Sequence, residues 1–560
     1  MTEDPLNKTK GKRKDKMKGQ MKRSNPLLVF DRLEVGPVKV ERRRLSTPYR
    51  LFSNGTEDRI DLIYTYEEPV FAPADLAGQN LAAVIGAQVA FNYGLFCKKI
   101  IFRDAFDHTD IQFIRDMMEN TAREIYVKKF LEPNHYLIGE AAHLTMEKKS
   151  CYLEAELEFP EAAKKKSHSR WDFWPTERSR HAILSSGGKD SLLSYGLMNE
   201  IGCETHPIYI NESGRHWFTA LNAYNYFNKN IPNTARVWTN SDRVFNWMLR
   251  HMSFIRKDYS SIRSDEYAIR LWTVAVFSFG ALPLMRKRGI GRLLIGDEFD
   301  TTRRTHHHGI THYDGLYDQS RYFDHALSRY YLRKGWNINQ FSILRPLSEL
   351  MIQKILVQRY PHLQEHQVSC HAAHKENGRI HPCGQCEKCR RIQGMLMALD
   401  ADPANCGYNE TQVQKSLENF TPQHLNQESS CVRQLTFMLA DKKLVKIPSS
   451  FKKFANGSSE VLKLRFDPQC SPINGIPMDL RVPLYQIYLE YTNGAVQRVK
   501  RHWQMMAPLS DISLFQPYPF EITPTAEPVM PRKMERCTVP PELIKRNITG
   551  ELTENLLIKN

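Results

Sequence analysis

Two short stretches of this chain combine residue types at spacings that could do chemistry. The first is Ser186-Gly187-Gly188-Lys189-Asp190-Ser191, set between the apolar run HAILSS and the helix-like KDSLLSYGLMNE. Paired glycines let a backbone turn sharply and bring its amides up to a phosphate without interference from Cβ. A helix starting near Lys189 adds its unbonded N–H groups and the positive end of its dipole. Ser186, Ser191 and Lys189 then offer hydroxyl and ammonium contacts suited to a triphosphate. Asp190 would repel a bare phosphate, so its expected role is to orient the loop or to help bind Mg²⁺. A Gly-Gly turn by itself fits an ordinary strand-to-helix connection capped by Ser and Asp, and the G-x-x-x-x-G-K-[ST] spacing of a Walker A loop is absent.

The second stretch is Cys370, twelve residues, then Cys383-Gly-Gln-Cys386-Glu-Lys-Cys389. Three thiols at C-x-x-C-x-x-C spacing with one outlying cysteine can close a tetrahedral Zn²⁺ site. His371, His374 and His381 lie close enough in sequence to compete for the fourth position. Four protein ligands leave no open coordination position, so the expected role is structural, pinning residues 362–382 against a sheet. The chain has 11 cysteines, an odd number with the rest scattered, which suits a reducing compartment and one metal site better than a disulfide scaffold.

A third segment, GDEFDTTRRTHHHGITHYDG from Gly296, is both acidic and rich in histidine. Asp297, Glu298 and Asp300 could hold Mg²⁺ or supply a general base, with Asp297 and Glu298 the catalytic candidates beside Lys189 and Asp190. His306, His307, His308 and His312 could bind a metal or a phosphate, or could be solvated surface residues. Arg345 either bridges to Glu349 or contacts a triphosphate or a substrate carboxylate.

These residues need elements to position them. Residues 27–70 read as short strands, followed by a helix at about 74–94, the strand KKIIFRD and a helix near 109–129. From residue 181 the pattern is strand, loop, helix, repeated: HAILSS, THPIYIN, TARVWTN, GRLLIGD and QFSILRP are the strands. A long helix is expected at about 264–288, stopping at Gly289 with basic residues in its last turn. Strands separated by helices predict an α/β fold with a doubly wound parallel sheet. In such sheets ligands bind at the carboxyl ends of the strands, where the loop at Ser186 and the acidic segment both fall. YQIYLEYTNGAVQRVKRHW is expected to form a β-hairpin across Asn493-Gly494, and the proline-rich 515–541 an extended arm. The expected organisation is a disordered basic tail (1–26), an α+β domain (27–175), the loop-bearing domain with the cysteines (176–415) and a C-terminal extension (420–560).

The hexapeptide at Ser186, in its strand–loop–helix setting, resembles the SGG-x-D-S loop of the N-type ATP pyrophosphatases (PP-loop superfamily). That resemblance implies cleavage of ATP between the α and β phosphates and adenylation of a substrate oxygen. It implies ATP contacts from Ser186, Gly187, Gly188, Lys189, Asp190, Ser191 and Arg345, and places Asn211 and Glu212 where the family holds adenine and ribose. With the S-C…C-G-x-C-x-x-C segment, the chain resembles the 7-cyano-7-deazaguanine synthases. It is more similar to the ATP-dependent UDP-N-acetylmuramoyl-L-alanyl-L-glutamate epimerases, through FSILRPLSEL, Lys388-Cys389-Arg390 and the domain before the loop. The match is motif-specific for about 181–395, and the chain departs from the epimerase pattern at Gly296–Thr302 and in the histidines that follow. The implied cofactors are ATP, Mg²⁺ and a structural Zn²⁺, and the implied partner is a carboxylate-bearing small molecule. The alternatives are carboxylate-to-amide or nitrile chemistry and tRNA modification.

Composition narrows the classes further. In 560 residues, 41% are hydrophobic, 11% aromatic and 25% charged, which excludes low-complexity and collagen-like chains. No apolar run is long enough to span a bilayer and the N-terminus has no apolar core of a secretory signal, so a soluble cytoplasmic protein is expected. The net charge of +16 is concentrated at the ends: residues 1–23 carry +6 and residues 421–560 carry +5. A charged tail of this kind is ordinarily solvated, so nucleic acid is admitted as a partner but not favoured.

Overall fold

The computed structural model describes residues 25–72, 74–162, 173–212, 214–262, 267–313, 316–370, 372–422, 425–446 and 456–520. The basic tail to residue 24, the proline-rich arm beyond 520 and His371 lie outside the described residues. In chain order the first half contributes β1 (Phe30–Val35), β2 (Lys39–Glu41), β3 (Arg44–Ser53), β4 (Thr56–Tyr66), α1 (Leu76–Ala87), β5 (Cys97–Phe102), α2 (His108–Ile125) and β6 (Glu156–Glu158). The alternating segment adds β7 (Glu177–Ser185), α3 (Lys189–Glu200), β8 (Glu204–Asn211), α4 (Arg215–Asn230), β9 (Ala235–Thr239), α5 (Ser241–His251), α6 (Val274–Arg288) and β10 (Ile290–Leu294). It continues through the hairpin β11 (Arg304–His307) and β12 (Ile310–Tyr313), then α7 (Arg321–Arg333), β13 (Asn339–Phe341), α8 (Glu349–Arg359) and the short α9 (Pro361–Gln364). Last come β14 (His374–Glu376), β15 (Arg379–His381), α10 (Glu387–Ala398), α11 (Glu410–Glu418), α12 (Ser429–Asp441), β16 (Leu464–Phe466), α13 (Met478–Tyr491), β17 (Ala495–Val499) and β18 (His502–Met506).

Eleven strands form one mixed sheet in the order β13-β10-β7-β8-β9-β4-β3-β1-β5-β6, with β2 on the side of β3. Strands β13, β10, β7, β8 and β9 are mutually parallel, as their helical connections require. The antiparallel pair β4–β9, with Tyr64 opposite Thr239, joins this block to the N-terminal strands, so the sheet is continuous across residue 175. Alternation along β7 and β8 divides the core in two. Ala182 and Ile208 pack with α1, α2, α5, α6 and α7, whereas Ile183 and Tyr209 pack with α3, α4, α8 and α13. Helices therefore cover both faces of the parallel block.

Two sequence expectations are corrected. The helix expected at 264–288 begins at Val274. A distant side chain sets its start: Asp318 accepts the N–H groups of Thr273, Val274 and Ala275 at 2.8, 2.7 and 3.2 Å. Ahead of it, Asn92 accepts from Leu271 and Trp272, both at 2.9 Å, and holds that apolar stretch out of the helix. Gly289, in the left-handed region at φ 62°, ends the helix as expected. Second, YQIYLEY belongs to α13 and is not the first arm of a hairpin. Leu480, Leu484 and Tyr488 repeat at helical spacing and are buried, and the Tyr488 hydroxyl donates to the Ile343 carbonyl at 3.0 Å. Asn493-Gly494 instead joins this helix to β17, and the hairpin β17–β18 turns at Lys500-Arg501, with Lys500 at φ 56°. Among the described residues, no helix is long and apolar enough to cross a membrane.

The N-terminal elements are fastened to the alternating segment by ions as well as by apolar contact. Lys334, at the end of α7, is 1% exposed. Its ammonium lies 2.9 Å from Asp110, contacts Asp107 and donates to Asn80 at 2.9 Å. Both carboxylates also form the capping box of α2. Trp174 stacks on Trp336 at 4.9 Å nearby. Removing one partner of a buried pair leaves an uncompensated charge, so Lys334→Ala is expected to destabilise by about 3–5 kcal/mol. Urea unfolding measures this; a loss below about 1 kcal/mol, the range of surface pairs, would show the pair to be peripheral.

Candidate functional site

The chain order of the parallel block reverses at β7. From it, β8 and β9 run one way and β10 and β13 the other, which opens a crevice between the carboxyl ends of β7 and β10. The loop Ser186–Ser191 leaves β7 on one side of that crevice, and Gly296–Asp300 leaves β10 on the other. A Cβ on Gly296 would stand 2.7 Å from that of Asp190, so the two segments are in contact and only glycine fits.

Gly187 has φ 75°, and a Cβ there would lie 2.8 Å from the Ala220 Cα on α4. Both the turn and the approach of α4 therefore need glycine. Gly188 is the N-cap of α3 and gives it no side-chain cap, which leaves the first-turn amides facing the loop. The two serines brace the turn. The Ser186 hydroxyl accepts from the Gly188 N–H at 3.4 Å, while that of Ser191 donates to the Gly188 carbonyl at 3.1 Å and accepts the Ser186 N–H at 3.4 Å. Ser191 thus shapes the loop more than it faces outward.

Lys189 is 6% exposed, with its ammonium 2.7 Å from Asp190 and 3.3 Å from Glu349, the first residue of α8. Burial works against its charge, but Asp190, Glu349 and Glu298 outweigh burial and hold the ammonium above the usual lysine range. Arg391 reaches Glu349 at 3.5 Å from α10. Burial raises the Glu349 carboxyl, yet Arg391 and Lys189 together keep it below the ordinary range. Glu298 behaves oppositely. Burial, Asp190, Asp300 and Glu349 push it up to about 8 despite Lys189. Asp300 is pushed up to about 7 by burial and by Glu428 and Glu349. The crevice therefore gathers more carboxylate than its cations neutralise.

The other sequence candidates sit around this centre with different roles. Asp297 is 4% exposed, and burial together with Asp324 and Glu298 pushes its carboxyl well above the usual range. Arg345 lies three residues before Ser348, the N-cap of α8. Its guanidinium lies 2.5 Å from Asp324 and 3.5 Å from Asp297, and donates to the Thr301 and Thr302 hydroxyls, both at 3.0 Å. The alternative bridge to Glu349 is not formed, and Arg345 is the clamp that holds the acidic segment in place. Asn211 ends β8 and is 8% exposed. Glu212 turns away, accepting the Ser241 hydroxyl at 2.6 Å with Arg270 at 3.5 Å. The histidines occupy the hairpin β11–β12. There His306 pairs with the Thr311 hydroxyl at 3.1 Å and His312 with that of Thr305 at 3.0 Å.

Cys370, Cys383, Cys386 and Cys389 converge, with their sulfurs within 4.8 Å of one another. Three of the separations are 3.5, 3.9 and 4.0 Å, close to the ~3.8 Å between ligands of a tetrahedron with Zn–S about 2.3 Å. The N–H groups of Ala372 and Cys383 donate to the Cys370 sulfur at 3.3 and 3.2 Å, and that of Cys386 to Cys383 at 3.4 Å. Such donors favour thiolates. The four residues could hold a structural metal such as zinc. His374 and His381 lie on the hairpin β14–β15, outside this group.

The cysteine cluster also bears on the glycine loop. The Val368 N–H donates to the Gly187 carbonyl at 3.4 Å, and Asn222 on α4 pairs with both backbone groups of Ile380 at 2.8 and 3.0 Å. His366 stacks on Tyr226 with ring centres 4.2 Å apart. The segment 362–382 is thus pinned against α4 and the loop, not against the sheet as expected. Sequence reasoning missed Arg391 and gave Glu349 only a bridge to Arg345. The signals were present: Arg391 follows the last cysteine by two positions, and Glu349 follows the N-cap of the helix after the fifth strand.

Compared with known proteins, the chain matches no family model and no curated relative.

Glu298 and Asp300 bind protons more readily folded than unfolded, so from the ordinary carboxylate range up to about pH 7–8 the folded state holds more protons and stability falls as pH rises. Glu298→Gln is therefore expected to leave stability unchanged at pH 5 and raise it at pH 8 by on the order of 1–2 kcal/mol. Urea unfolding at the two pH values tests this, and an equal effect at both would show that the carboxylate is not under repulsion. For the thiols, Cys386→Ser is expected to lose bound zinc and lower the melting temperature. One equivalent of zinc retained by the variant would remove Cys386 from the ligand set.

Proposed function

We propose that this protein is an ATP pyrophosphatase that adenylates a substrate carboxylate. The observation that carries the reading is the placement of SGGKDS at the carboxyl end of β7, with uncapped helix amides, across a switch-point crevice from Glu298 and Asp300. A triphosphate in the loop would meet those amides and Lys189. Anionic phosphate would draw the ammonium from Asp190 and Glu349, which Arg391 still compensates. Mg²⁺ bound with ATP supplies charge neutralisation of the phosphates, and Asp190, Glu298 and Asp300 are the residues that would hold it. Their surplus of negative charge is the physical reason a divalent cation suits the crevice.

In the reaction a carboxylate oxygen of the acceptor attacks the α-phosphorus, the bond from that phosphorus to the oxygen bridging the β-phosphate breaks, and pyrophosphate leaves. The product is an acyl adenylate, whose carbonyl is electrophilic and whose α-proton is acidified. An epimerase-like use of that acidity on a glutamate-containing peptidoglycan precursor accords with the resemblance around FSILRPLSEL and the cysteines. Such chemistry needs a base on one face and a proton donor on the other.

Gly188→Val and Asp190→Ala are each expected to reduce pyrophosphate release from ATP·Mg²⁺ at least ~100-fold, the scale on which lost preorganised donors act. Unchanged rates in both would reject the loop assignment. Release that depends on UDP-N-acetylmuramoyl-L-alanyl-L-glutamate, with deuterium entering its glutamate α-position in heavy water, would establish the substrate. Turnover with other carboxylates alone would keep the mechanism and discard that acceptor.

A further inference from the structure

Beside the acidic segment lies a second cavity of about 380 Å³, built largely from the C-terminal extension. Its wall carries five arginines, Arg303, Arg304, Arg433, Arg465 and Arg498, against the carboxylates Glu428, Glu460 and Asp467. Such an excess of guanidinium in a concave site is unusual unless an anion is taken up there.

The pairing of these side chains sharpens the point. Arg465 is 1% exposed and forms a two-pronged bridge to Glu428, both contacts at 2.8 Å, yet its buried Nε has no hydrogen-bond partner. The Nε of Arg433 is likewise buried without a partner. Among the described residues, Arg304 and Arg498 face aromatic rings instead of carboxylates, Tyr322 at 4.8 Å and Trp503 at 5.0 Å. The first turn of α12 opens on the same cavity. Glu428 is its N-cap without a side-chain bond to the helix amides, its carboxylate accepts the Ser430 hydroxyl at 2.7 Å, and Ser429 and Ser430 line the wall, so the first turn of the helix and the guanidinium groups share one cavity. That combination of fork-shaped donors and a helix N-terminus matches a tetrahedral phosphate.

Position gives the cavity a meaning. Phe299 forms part of its wall, between Glu298 and Asp300 of the crevice, and its ring is 3.9 Å from the Arg465 guanidinium and 5.9 Å from Trp503. We propose that this cavity binds a phosphate group of the acceptor substrate, so that the acceptor is a small phosphorylated molecule whose carboxylate reaches into the crevice. Assigning the phosphate to an acceptor rests on the adenylating reading above; the anion site itself does not.

Isothermal titration with inorganic pyrophosphate tests it on the full chain. Pyrophosphate fits both the glycine loop and the arginine cavity, so the wild-type protein is expected to show two sites. Gly188→Val should retain one, and adding Arg433→Gln with Arg498→Gln should weaken that remaining site at least 10-fold, with Arg498→Lys weaker in effect. Circular dichroism confirms that the variants are folded. If the remaining site ignores the arginine substitutions, or Gly188→Val binds no pyrophosphate, the proposal is overturned. If the arginine pair removes one site while Gly188→Val removes none, the cavity stands and the loop reading falls. Citrate competing as well as pyrophosphate would replace phosphate by carboxylate. A single-stranded RNA displacing pyrophosphate from the cavity at lower concentration would overturn the small-molecule assignment.

Discussion

A buried ammonium organises this molecule's crevice. Lys189 has almost no access to water and sits against Asp190 and Glu349, which hold its charge. In a low-dielectric setting a charge persists only when others compensate it. The two carboxylates it touches come from different elements, Asp190 from α3 and Glu349 from α8, and Glu298, from the segment after β10, adds its charge only as it ionises at about pH 8. The arrangement exists because Gly296 lets that segment touch Asp190, and Gly187 lets α4 close on the loop. A side chain at either glycine would push those elements apart and strand the ammonium.

The cysteine cluster extends the same network. Its helix, α10, begins at Glu387 and carries Arg391 to Glu349, while the irregular segment leading to Cys370 is held by the Val368–Gly187 hydrogen bond. A metal centre that closes this cluster would set both the position of the loop and the charge balance beneath it. The two motifs, nearly two hundred residues apart, are parts of one site. Arg345 does related work from below, fixing Asp297, Thr301 and Thr302 against Asp324.

Much of the parallel block was legible because each of its strands is a short apolar run followed by a helix with its own stop. HAILSS, THPIYIN and TARVWTN fall within or over β7, β8 and β9, and Gly289 ends α6. Legibility failed where local pattern was overridden from a distance. The start of α6 depends on Asp318 and Asn92, which no window around residue 270 contains. The aromatic run of α13 reads as β-strand by composition, yet burial of Tyr485 and Tyr488 against the face formed by α3 and α8 makes it helical.

The chain's own order of residues determined the chemistry available: a glycine loop before a helix, four thiols at metal-binding spacing, and acidic residues after the fourth strand. These are local facts, since turn geometry and ligand spacing depend on neighbours a few positions away. Tertiary structure alone decided which groups share a charge. It assigned Glu349 to Lys189 and not to Arg345, made Arg345 a clamp, brought Arg391 to the crevice and set the histidines on a separate hairpin. The reason is that Coulomb interaction depends on distance and burial in the folded state, and neither is a function of spacing along the chain.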